Sequence, residues 1–158
     1  MTEITIYTDG AAKGNPGPGG YGAVLLSGNY RKELSAGFRR TTNNRMELMS
    51  VIVALEQIKQ KPSKVNIYSD SKYVVDAVEK NWVFNWEKKG FAKKKNIDLW
   101  RRFLKIYREH KVQFHWVKGH AGNALNERCD QLAVNAAENK PLSVDEGFEN
   151  QKTSNSLF

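Results

Sequence analysis

From Ile4 to Thr8 apolar and hydroxyl side chains alternate, the two-residue period of a strand with one face buried. Tyr21 to Ser27 and Arg31 to Phe38 fit two more strands, and Ser27-Gly28-Asn29 between them supplies a hairpin turn. The chain is therefore expected to open with an antiparallel meander. From Asn43 to Gln60 the period changes: Met46, Met49, Ile52, Val53, Leu55 and Ile58 recur at helical spacing, and Pro62 stops the run. Val65 to Ser69 predicts a fourth strand and Ser71 to Glu79 a helix start. Ile97 to Glu109 predicts a helix with the stripe Ile97, Trp100, Phe103, Leu104 and Tyr107, and Gln113 to Val117 a short fifth strand. A last helix carries Cys129, Leu132, Ala133 and Ala136 on one face. Beyond Pro141 the chain is polar and loses its period, which predicts a loose tail.

Strands separated by helices in the second half imply parallel pairing through right-handed crossovers, onto which the meander is grafted. The expected fold is α/β, a mixed five-stranded sheet of antiparallel meander plus parallel strands, flanked by helices. Sites in such sheets form beyond the carboxyl ends of the parallel strands. The segment VNIYSD at 65–70 nearly repeats ITIYTD at 4–9, so adjacent pairing would bring Asp9 and Asp70 to one edge.

Charge sharpens the picture. The chain of 158 residues carries a net +8. Lys80 to Arg108 holds ten Lys or Arg against Glu87 and Asp98, so this stretch accounts for all of the excess. Trp82, Phe84, Trp86, Phe91 and Trp100 are interleaved with the cations, a combination that suits a polyanion with stackable bases. A solvated basic face with its aromatics turned inward is the competing reading. A single cysteine, Cys129, excludes an internal disulfide and a thiolate zinc cluster. No leader-like run precedes the first strand and no apolar run approaches about 18 residues, so the expectation is a soluble, cytoplasmic monomer with no membrane contact.

Six of the twelve glycines fall between Gly10 and Gly22, which suits backbone that turns sharply or approaches a ligand. Gly17-Pro18-Gly19-Gly20-Tyr21-Gly22 matches a dinucleotide fingerprint in letters, yet a strand follows where a helix is required. Each candidate acid has an ordinary alternative. Glu47 could cap its helix in a box with Asn44, Asp70 could cap the helix after it, and Asp130 could be solvated. His120, between glycines, could be a surface loop residue. Jointly the four acids come from two strand ends, a helix start and the last helix, and can converge on one edge. Clustered carboxylates repel unless cations sit among them, and oxygen-only ligation points to Mg²⁺ or Mn²⁺. A pair of such ions supports phosphoryl displacement.

TDGAAKGNPGPGG, TTNNRMEL, IYSDSKYV and WVKGHAGNALNERCDQLA, in this order, resemble a type 1 ribonuclease H of the bacterial kind. The resemblance implies a catalytic domain over residues 1–149 with a basic protrusion at about 80–96, followed by a flexible tail at 150–158. It implies endonucleolytic hydrolysis of the RNA strand of an RNA/DNA hybrid, giving 5′-phosphate and 3′-hydroxyl ends. Asp9, Glu47, Asp70 and Asp130 match the family's metal-binding carboxylates, and two Mg²⁺ are implied. His120 matches a histidine assigned to proton transfer or product release. Asn15, Asn43 and Asn44 match positions near the hybrid, where amides can answer a 2′-hydroxyl. Arg40 and Thr42 match a DNA-phosphate pocket and Trp82 an aromatic against DNA sugars. Trp86, Lys88, Lys89, Lys93, Lys94 and Lys95 belong to the protrusion. Lys72 stands where the family often has Gln. A binding module without catalysis would lack one of the four acids, and a DNA-cutting nuclease of the same fold would lack TTNN and the protrusion.

Overall fold

The computed structural model describes residues 1–119 and 123–154. Five strands, β1 (Glu3–Ala12), β2 (Gly17–Ser27), β3 (Tyr30–Thr41), β4 (Lys64–Ser69) and β5 (Lys111–Trp116), form one sheet in the order β3-β2-β1-β4-β5. The β1–β2 and β2–β3 pairs are antiparallel, and the β1–β4 and β4–β5 pairs are parallel. This is the expected mixed sheet. Ile6 pairs with Ile67 and Tyr7 with Tyr68, so the two similar segments lie side by side in register. The rings of Tyr7 and Tyr68 stack at 4.8 Å.

Helices are α1 (Asn43–Glu56), α2 (Lys72–Glu79), α3 (Trp82–Lys88), α4 (Ile97–Tyr107), α5 (Ala124–Glu138) and α6 (Glu146–Ser154). Alternation along β1 sends Ile6 into the core with Ile67 and Phe114, where Met46, Leu48, Ile52 and Leu55 of α1 and Trp100, Phe103 and Leu104 of α4 are buried. A side chain of Leu or Ile size withdrawn from water contributes about 1.5–3 kcal/mol, so this layer dominates stability. The opposite face of β2 and β3 carries Gly20, Gly22 and Gly37, and α5 lies directly on them. A Cβ at these positions would overlap backbone of Ala133, Cys129 and Ala136.

That contact corrects the reading of the glycine-rich stretch. Its glycines from Gly17 on are strand residues of β2; what approaches Gly20 and Gly22 is a helix, whereas Gly17 and Gly19 face Lys13, Ala11 and Thr41. Two further differences concern elements. The basic aromatic stretch contains a helix, α3, too short to show a period. The segment directly after Pro141, expected as part of a loose tail, is built into the fold instead. Ser143 pairs with Phe38, Asp145 is buried, and α6 follows. What orders it is a buried charge partner, described below, which periodicity does not register.

Candidate active site

Local capping decides what two of the acids are for. Thr42 caps α1, its hydroxyl accepting from Arg45 N at 3.2 Å, so Asn44 and Glu47 do not form the box that their spacing allows. Ser71 caps α2 by accepting from Val74 N at 3.3 Å, so Asp70 is released from that duty as well. Both carboxylates are turned to another task.

β1 carries Asp9 two residues past Tyr7, and β4 ends one residue before Asp70, two past Tyr68. With Tyr7 and Tyr68 in register, both acids reach the same edge on the same face. Gly10 brings in the third. A Cβ there would overlap Met46 and Glu47 backbone, so glycine alone lets the start of α1 touch β1. Its N–H donates to Asp9 Oδ1 at 2.8 Å and to Glu47 Oε1 at 3.2 Å. The outcome is a cluster in which carboxylate oxygens of Asp9, Glu47 and Asp70 lie within 4.8 Å of one another.

Three acids so close cannot all ionise at ordinary pH without a countercharge. Burial, together with the charges of Asp70 and Asp130, pushes Asp9 up to about 7. Glu47 is raised well above the ordinary carboxylate range, first by burial and then by Asp9. Its Oε2 is buried without a hydrogen-bond partner. An orphaned carboxylate oxygen beside two other acids, with no His or Cys among them, fits a hard divalent cation. Asp130, on α5, is near enough to raise Asp9 but stands outside the 4.8 Å group. Its approach depends on α5 resting on the β2 glycines. Gly119, after β5, passes over Asp70, where a Cβ would lie 3.0 Å from Oδ2. His120 lies outside the described residues.

The asparagines knit the neighbouring loop. Asn43 Oδ1 accepts from Ala12 N at 2.6 Å, and Asn15 Oδ1 accepts from Asn43 N at 3.1 Å, so both amide oxygens are engaged with backbone. Arg40 and Asn44 are exposed beside them and Thr42 is half-buried. The basic stretch forms an arm made of α3 and the loop after it. Trp82, 44% exposed, lies under Lys80, while Trp86 meets Trp100 edge-on at 5.8 Å and lies under Lys94. An open cleft of about 370 Å³ is lined by Trp82, Asn85, Trp86, Lys89, Lys93 and Lys94. Lys88, Lys89, Lys93, Lys94 and Lys95 are all exposed. In this stretch Val83 and Phe91 are turned inward, the lysines face solvent and Trp82 stays partly exposed. Sequence reasoning missed Gly10, whose only signal was its place after Asp9, and Arg45, Asn96 and Asp145, for which nothing in the local pattern gave a signal.

A buried carboxylate cluster at the joined ends of β1 and β4, with a cationic aromatic arm on the same chain, defines a class of hydrolases that act on nucleic acid. The RNase H family profile matches residues 1–138. Ribonuclease H of Desulforamulus reducens is 58% identical over 150 residues, covering 92% of this chain and 94% of the relative. Ribonuclease HI of Synechocystis is 55% identical over 151 residues, covering 92% and 94%. The crystal structure of LC9-RNase H1, described as a type 1 RNase H with the type 2 active-site motif, superposes with a TM-score of 0.80 at 33% identity, covering 96% of this chain and 81% of that one. The chain belongs to the RNase H family, hydrolases that act on RNA/DNA hybrids.

Proposed function

We propose that the protein is an endonuclease that hydrolyses the RNA strand of RNA/DNA hybrids, leaving 5′-phosphate and 3′-hydroxyl ends, with Asp9, Glu47, Asp70 and Asp130 holding two magnesium ions. The observation that carries this is the approach of Asp9, Glu47 and Asp70 within 4.8 Å, with a buried carboxylate oxygen left unpartnered. Manganese suits the same oxygen donors. Once bound, such ions would supply Lewis-acid stabilisation of the charge that develops on the attacked phosphate. The protein's own groups do the rest. The Gly10 N–H fixes Asp9 against Glu47. The NH₂ groups of Asn15 and Asn43, with Asn44, address the 2′-hydroxyls that mark the RNA strand. Arg40 and Thr42 take a DNA phosphate, Trp82 meets a sugar, and the lysines of the arm neutralise backbone charge. These contacts read backbone and shape, so broad sequence tolerance follows. His120 serves proton transfer or product release.

We read residues 1–149 as the catalytic unit, acting as a cytoplasmic monomer; among the described residues no helix is long and apolar enough to cross a membrane. The test incubates wild type and Asp70→Asn with Mg²⁺ and end-labelled RNA/DNA hybrid, duplex RNA, duplex DNA and single-stranded RNA. The expected result is cleavage of RNA in the hybrid alone, abolished in Asp70→Asn while its circular dichroism is unchanged. Binding of the hybrid without cutting, or cutting of duplex DNA, would sink the reading.

A further inference from the structure

Outside the carboxylate cluster, a buried arginine makes five side-chain hydrogen bonds. Arg45, two residues before Glu47 on α1, is 1% exposed. Its Nε and Nη2 donate to Asp145 at 2.8 and 2.9 Å, and its Nη1 and Nη2 donate to Asp98 at 2.9 and 2.8 Å. Nη1 also reaches Asn96 Oδ1 at 3.4 Å. Asp145, itself buried, accepts in addition from the Thr41 hydroxyl at 2.7 Å. The terminal segment is shaped to allow this: a Cβ on Gly147 would overlap the Asp98 carboxylate and crowd the guanidinium.

Asn96 and Asp98 are the point where the basic arm returns to the body at α4. Asn96 is left-handed, with φ of 61°, and its Nδ2 donates to the Tyr73 hydroxyl at 3.0 Å, where Trp100 Nε1 donates at 2.9 Å. Asn81, where the arm leaves, has φ of 61° as well. Among the described residues the non-glycine positions with positive φ are Asn81, Phe91, Lys93 and Asn96, all of them in the arm. Such conformations cost free energy and persist where the surroundings over-determine them. At the returning end the determining contacts are those of Asn96 and Asp98 with Arg45 and Tyr73, and Arg45 is held from its other side by Asp145.

We infer that Asp145 is a positioning residue for substrate binding: through Arg45 it holds Asn96 and Asp98, and so keeps the arm of residues 81–96 in the conformation that meets the hybrid. The inference rests on the reading of that arm as a hybrid-binding surface. Without Asp145 the arm spreads over several conformations, and apparent affinity falls by the fraction that remains competent. Hybrid that does bind meets unchanged carboxylates, so turnover at saturation is kept.

The test compares Asp145→Asn and Asn96→Gly with wild type, by amide hydrogen exchange of residues 82–95 in the free protein and by KM and kcat on the hybrid. Glycine accepts the left-handed backbone, so Asn96→Gly removes the side-chain bridge without strain and stands in if Asp145→Asn fails to fold. Glu149→Gln, which weakens the exposed Arg39–Glu149 pair on the same terminal segment, is the control. In both variants exchange across the arm is expected to quicken and KM to rise on the order of fivefold, with kcat within about twofold, and neither change is expected in the control. Unchanged exchange across the arm overturns the inference, as does a fall in kcat at constant KM. Faster exchange with unchanged KM overturns it too, and a glutamine variant of Lys93, Lys94 and Lys95 then locates the fault. If that variant raises KM, the inference alone fails; if KM stays put, the arm does not bind the hybrid and the underlying reading fails.

Discussion

Asp9 and Glu47 share a buried site in which two negative charges cannot coexist unaided, and their protonation follows from it. In metal-free protein Asp9 holds its proton up to about pH 7, whereas an ordinary aspartate loses it near 3.8. The folded state therefore binds a proton that the unfolded chain has released, and stability falls as pH rises across that interval. Asn at position 9 keeps the oxygen that accepts from Gly10 and removes the charge. In EDTA, denaturant unfolding near pH 8 should show Asp9→Asn more stable than wild type by about 2 kcal/mol, with the gap closing near pH 4. A variant less stable than wild type near pH 8 would mean that the carboxylates do not repel. At this scale the sequence supplied the acids but not their neighbours. Glu47 looked like a capping residue until Thr42 took that place, and nothing about a glycine after Asp9 announces that its N–H bridges two carboxylates.

Helix α5 reaches the sheet because β2 and β3 present only glycine beneath its backbone at Gly20, Gly22 and Gly37. Gly22→Ala would drive a methyl into the Cys129 carbonyl and the Leu132 side chain, both of which would have to move. Overpacking of this kind costs about 1–3 kcal/mol. Since Asp130 follows Cys129 on the same turn, the helix shift should also lower kcat. Thermal unfolding and steady-state kinetics of Gly22→Ala check both effects, and a variant that loses stability while keeping full turnover would detach Asp130 from the helix position. The elements themselves were legible, because alternation and helical spacing report burial directly. The β1–β4 pairing was legible for a related reason: two segments of the same build occupy equivalent places in a parallel pair. Glycine's meaning was not, since the letter shows a missing side chain without showing what fills the space. The terminal segment was illegible for the converse reason, as Asp145 is ordered by Arg45, 100 residues away in the chain.

The whole molecule is electrostatically lopsided, with its entire excess of +8 between Lys80 and Arg108. Within that span the charges fall into two groups. Arg102 and Arg108 are engaged with Glu56 and Glu87 and serve the fold, whereas Lys93 and Lys95 stand exposed on the arm and Lys94 covers Trp86. Cations of the second kind bind a polyanion by releasing its condensed counterions, and each phosphate neutralised adds about 0.7–0.9 to the slope of log affinity against log salt. Replacing Lys93, Lys94 and Lys95 by glutamine should therefore reduce that slope for hybrid binding by about 2, raise KM and leave kcat nearly unchanged. Fluorescence anisotropy on labelled hybrid over a salt series, in Ca²⁺ or with Asp70→Asn to prevent cutting, gives the slope directly. An unchanged slope would return the lysine run to the status of a solvated face and move the hybrid's path off the arm. A reduced slope together with a lower kcat would mean instead that the arm aligns the scissile strand over the carboxylates, so that the charge asymmetry serves orientation as well as capture.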